Sequence, residues 1–84
     1  MFEVEYSNQA WRFLRKTEKK LTERLLRKIE SLREQPITHD TKVIRGYKEK
    51  LFRARVGDYR ILYEIDYKAN KIGIIKIDKR ERVY

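Results

Sequence analysis

Leu51-Phe52-Arg53-Ala54-Arg55-Val56-Gly57-Asp58-Tyr59-Arg60-Ile61-Leu62-Tyr63 is the stretch whose reading decides the fold. Residues 51–56 and 59–66 both alternate with period two and are rich in aromatic and β-branched side chains, the pattern of half-buried strands. Gly57-Asp58 between them suits a two-residue type II′ turn, whose first position demands the positive φ that glycine adopts freely. With those two residues as the loop, Val56 pairs with Tyr59 and Arg55 with Arg60, and Arg53 lies two residues along the same face. Two unit charges so placed, about 5 Å apart, repel by about 1–3 kcal/mol at effective dielectrics of roughly 80 down to 20. The other face (Phe52, Ala54, Val56, Tyr59, Ile61, Tyr63 and Ile65) is apolar and forms the core side. The arginines therefore point away from the core onto an open face, where an anion relieves their repulsion. The plainer alternative is three splayed, solvated charges on a basic, heat-adapted domain.

Downstream, Tyr67-Lys68-Ala69-Asn70 makes a turn, and residues 71–78 form a strand filled by Ile72, Ile74, Ile75 and Ile77. Isoleucines on both faces mark that strand as interior and leave its register open. Upstream, Lys42-Val43-Ile44-Arg45-Gly46 reads as a short edge strand, preceded by a polar connector in which His39 has no ligand or nucleophile beside it. Leu21, Leu25, Leu26, Ile29 and Leu32 recur at helical spacing until Gln35-Pro36, with Thr17 as cap or hinge. The opposite face of that helix carries charges of both signs three and four apart, a solvated face whose cations are a secondary candidate for RNA contact. Ala10, Trp11, Phe13 and Leu14 make an earlier helical stripe capped by Ser7-Asn8, which assigns Trp11 to the core rather than to base stacking. Phe2, Val4 and Tyr6 alternate with Glu3 and Glu5 in a short one-sided strand. The order is strand, two helices, then an antiparallel meander of three to four strands. It predicts an α+β, two-layer domain spanning residues 1–84, with helices on one sheet face and the arginine face left open.

Composition narrows the chemistry. The chain of 84 residues has no cysteine and one histidine, which excludes a disulfide framework, a thiolate metal site and a histidine acid–base pair. No apolar run approaches the roughly eighteen residues a membrane span needs, and the start lacks a leader pattern, so the expectation is a cytoplasmic protein with no membrane partner. The net charge of +9 is unevenly placed, with nine basic against seven acidic residues in 1–41 and thirteen against six in 42–84. That excess, in the half holding the arginine hairpin, suits nucleic acid, ribosomes or an acidic protein.

The element order, Ile44-Arg45-Gly46, the run from Phe52 to Glu64 and the ending Lys79-Arg80-Glu81-Arg82-Val83-Tyr84 together resemble the RelE/ParE toxin superfamily, and the RelE branch in particular. The resemblance implies the toxin of a type II toxin–antitoxin system, an endoribonuclease that enters the ribosomal A site and cuts messenger RNA, with a small RelB-type antitoxin as partner. It also implies attack by the 2′-hydroxyl on the adjacent phosphodiester, with no metal or other cofactor. Carried over by position, Arg53, Arg55, Arg60 and Arg80 match the family's basic catalytic residues. Tyr84 matches a tyrosine that stacks on the base or orients the attacking group, and Arg45 and Arg82 match accessory positions holding RNA backbone. Lysines stand in the well-known RelE type where this chain has Arg53 and Arg55, and arginine is a poor general base. The proton acceptor therefore stays open, with Glu81 and the terminal carboxylate of Tyr84 as candidates. A ParE-like, non-catalytic inhibitor of DNA gyrase and a basic RNA-binding module without activity are the competing readings.

Overall fold

The computed structural model describes residues 1–44 and 50–79. The alternation at the start gives strand β1 (Glu3–Tyr6). Ser7 then turns the chain into helix α1 (Asn8–Lys16) as its N-cap, its hydroxyl accepting from Ala10 N at 3.0 Å. Thr17 closes α1 as its C-cap, and Glu18 stands at the N-cap of helix α2 (Lys19–Glu34) with no side-chain bond there. The expected capping role of Thr17 thus falls on the end of the first helix. Gln35 closes α2 just before Pro36, which cannot continue a helix.

Four antiparallel strands follow: β2 (Lys42–Ile44), β3 (Leu51–Val56), β4 (Tyr59–Asp66) and β5 (Lys71–Lys79). With β1 they make one five-stranded sheet in the order β1-β5-β4-β3-β2. The hairpin has the register its two-residue loop dictates, Val56 opposite Tyr59 and Arg55 opposite Arg60. Gly57 has φ +57° whereas Asp58 keeps a negative φ, the signature of a type II′ turn. Strand β2 is the expected edge strand, with Val43 half-exposed; Arg45 and Gly46 lie outside the described residues.

The interior strand resolves its own ambiguity with a bulge. Ile74 pairs with Tyr63 and Lys76 with Leu62, so Ile75 is an extra residue with no partner on β4. That one-residue slip lets Ile72, Ile74 and Ile77 all face the helices, where each is fully buried. The first and last strands then pair in parallel, Glu3 with Lys71 through Tyr6 with Ile74, a long-range contact that no local pattern announces.

Beyond Ile74, β5 outruns β1, and side chains take over the free edge. Ser7 Oγ donates to Ile75 O at 2.6 Å. The Gln9 amide acts as a surrogate strand, donating to Ile77 O at 2.7 Å and accepting from Ile77 N at 2.9 Å. Replacing Gln9 with alanine is expected to cost about 1–3 kcal/mol, because two half-buried backbone groups lose their partners. Urea unfolding would register this as a lower midpoint with unchanged slope, and faster hydrogen exchange at the Ile77 amide would accompany it.

The core lies between the helix pair and the covered sheet face. Leu14, Leu21, Leu25, Ile29 and Leu32 meet Ile61, Tyr63, Ile72, Ile74 and Ile77, all buried. The Tyr63 hydroxyl is satisfied by Pro36 O at 2.6 Å, and burial pushes its pKa up. Two apolar residues of the helical stripes are not core: Trp11 is 53% exposed and Leu26 40%. A sheet this small is met by a narrow stripe of each helix, and Ala10 and Leu25, one residue earlier, occupy it fully. Trp11 rests instead against the Tyr6 ring, with centroids 6.3 Å apart.

Candidate functional site

Cross-strand register places Arg55, Arg60 and Asp78 in one row over β3, β4 and β5, on the sheet face turned away from the helices. The next row toward the middle of the sheet is Lys42, Arg53, Leu62 and Lys76. Arg53, Arg55 and Arg60 therefore share a face, and Lys42 and Lys76 join them. At the far end of the same strands stand Glu64 and Asp66, with Lys71 bonded to Glu5 at 2.7 Å, so positive charge collects at the hairpin end and negative charge at the other. A predominantly basic end of this kind attracts a polyanion.

The face is less open than its alternation suggests. Arg60 is 2% exposed, and Leu62, two residues along β4 on the same face, is buried, whereas Arg55 is exposed and Arg53 intermediate. Strand β4 lies between β3 and β5, so both of its edges are covered. Arg60 Nη1 donates to its neighbour's carbonyl, Tyr59 O, at 3.4 Å. A guanidinium held this deep loses little rotamer freedom when it takes up an anion.

Two hollows lined largely by basic side chains of the helices lie at the hairpin end. Beside Arg55, a cavity of about 420 Å³ is walled by Arg24, Arg27 and Lys28 of α2 together with Gly57. Lys28 is paired there with Asp40 at 3.2 Å, and the Thr38 hydroxyl, followed by Lys28, holds the Asp40 carboxyl below its usual range. Arg24 packs so tightly on the turn that a Cβ on Gly57 would stand 2.8 Å from its Nη2. Beyond Asp78, a cavity of about 500 Å³ is lined by Arg12, Phe13, Lys16, Tyr59 and Lys79 as well as Asp78 itself. Phe13 and Tyr59 meet edge to face there, 5.7 Å between centroids. Both hollows are walled by helix residues and so lie toward the covered side of the sheet at its hairpin end, whereas the Arg55–Arg60–Asp78 row lies on the other face.

Arg45, Arg80, Arg82 and Tyr84 lie outside the described residues, as does Glu81. The sequence reading passed over Lys76 and Asp78, whose face is set by the bulge, and over Arg12 and Lys16 of α1, whereas Arg24 and Arg27 belong to the α2 face whose cations were a secondary candidate for RNA contact.

A family model described as the ParE toxin of the type II toxin–antitoxin system parDE matches residues 4–84. Among solved structures, the chain is similar to the archaeal RelE–RelB complex from Pyrococcus horikoshii OT3, at 29% identity, TM-score 0.81 and 98% coverage of both chains. It is also similar to the RelBE2 toxin–antitoxin complex from Mycobacterium tuberculosis, at 28% identity and TM-score 0.80, covering 94% of this chain and 98% of that one. The isolated E. coli RelE toxin shares the fold at 21% identity and TM-score 0.82, over 98% of this chain and 87% of that one. No curated protein matches the sequence.

Proposed function

This chain belongs to the ParE toxin family of type II toxin–antitoxin systems, within the RelE/ParE superfamily, and from that premise we propose that it is a ribosome-dependent endoribonuclease acting on messenger RNA in the A site. The observation that carries the reading is the placement of Arg53, Arg55 and Arg60 on one sheet face at the hairpin end. In-line attack of a 2′-hydroxyl on the adjacent phosphorus builds charge on the phosphoryl oxygens, and guanidinium forks already in place meet that charge without reorganising. The attack forms the O2′–P bond and breaks P–O5′, leaving a 2′,3′-cyclic phosphate and a 5′-hydroxyl. Arg80 and Tyr84 complete the proposed catalytic set, and Arg45 and Arg82 hold RNA backbone. The ribosome fixes the messenger in a geometry close to attack, which is a large part of the barrier for such a reaction.

The proposed partner is a RelB-type antitoxin, since toxins of this fold are found with RelB in the Pyrococcus and Mycobacterium complexes. An acidic segment laid over the hairpin end would neutralise it. No helix among the described residues is long and apolar enough to cross a membrane. Purified protein added to a translation extract is expected to cut messenger at A-site codons and to leave the same RNA whole when ribosomes are absent. Intact messenger in that extract would overturn the reading. The ParE description of the matching family favours one rival, a gyrase-binding toxin without catalysis, and loss of supercoiling by purified gyrase would establish it.

A further inference from the structure

Arginine cannot serve as a general base near neutral pH, so the arginine row can grip a phosphate but leaves the 2′-hydroxyl proton unplaced. The same row ends in a carboxylate. Asp78 stands directly beside Arg60 in register, one strand further from Arg55, and neighbouring strands are about 4.8 Å apart. Among the described strand residues it is the carboxylate at the cationic end of this face. Glu64 lies four residues along β4 from Arg60, about 13 Å away at strand rise, and Asp66 further still. Asp58 is exposed in the turn, outside the row.

The carboxyl is also held in a usable way. Asp78 is half-buried, and its Oδ1 accepts from Lys79 N at 2.7 Å, which fixes the group and leaves Oδ2 to take a proton. It also borders the hollow lined by Arg12, Lys16 and Lys79, so cations surround it on both sides of this sheet edge. A negative group in that setting works against RNA binding, so its presence there asks for a chemical role.

We propose that Asp78 is the general base of the cleavage reaction. This rests on the endoribonuclease reading above. The Asp78 carboxylate removes the 2′-hydroxyl proton as O2′ bonds to phosphorus. The P–O5′ bond breaks, the departing 5′ oxygen takes a proton from water, and the arginines balance the charge on the phosphoryl oxygens.

The test compares wild type, Asp78→Asn and Asp78→Glu on translating ribosomes, reading cleavage rate, ribosome binding and the pH–rate profile. Asparagine keeps the shape and removes the proton acceptor. It is expected to slow cleavage roughly 10²- to 10⁴-fold, while binding stays level or tightens because a negative charge has left a cationic surface. Glutamate restores part of the rate, and the acid limb of the wild-type profile is absent from the asparagine variant. Binding and cutting that move in opposite directions separate a base from a structural support, whose loss lowers both. Asp78→Asn cutting at the wild-type rate, or losing cleavage only in proportion to binding, would overturn the proposal and leave the nuclease reading standing. A wild-type protein that leaves ribosome-bound messenger intact would overturn both.

Discussion

Replacing Arg60 with lysine is expected to lower messenger cleavage on translating ribosomes by roughly 10²- to 10³-fold, the usual loss when a pre-placed donor to a developing oxyanion is removed. Lysine preserves the charge and most of the stem, so the change isolates the planar fork. Alanine would confound the measurement, because Arg60 is 2% exposed in the middle of the sheet and truncation would leave a hole there. Arg55, its exposed register partner, is free to move and is expected to show a smaller loss on the same lysine exchange. Single-turnover cleavage with a thermal melt of each variant checks both. Undiminished cutting by Arg60→Lys would reduce Arg60 to a structural cation.

The largest stability effect is expected inside α2. Leu25 is fully buried and Leu26 40% exposed, so Leu25→Ala should cost about 2–5 kcal/mol and Leu26→Ala under about 1 kcal/mol. For a domain of this size 1 kcal/mol shifts the melting temperature by about 4–8 °C, which makes the two substitutions easy to tell apart by calorimetry. Equal effects would mean that the helix is rotated about its axis from the position described.

The sequence could not rank those two leucines, and the reason is general. A stripe of apolar residues marks a helix face, but the width of sheet available to cover it is a tertiary quantity. Trp11 was misassigned to the core for the same cause. The hairpin, by contrast, was fully legible, because a two-residue loop fixes every cross-strand pair that follows and so fixes the meeting of Arg55 with Arg60. Strand β5 lay between these cases. Its isoleucines announced burial, but the slip at Ile75 that orders them is invisible in alternation, and with it the side on which Asp78 falls. The meeting of the arginines on one face was therefore readable in the chain, and the place of Asp78 beside them emerged from the register. Arg45, Arg80, Arg82 and Tyr84 lie beyond the described residues, and their proposed roles rest on family position.

The parallel pairing of β1 with β5 bears on how the protein is made. During synthesis β1 emerges well before β5, its strand neighbour among the described residues. The helices can associate early, but the sheet stays unfinished until β5 has been made. A nascent chain therefore passes through a stage in which β4 is an open sheet edge, and a partner able to add a strand there would meet the toxin before its fold has closed.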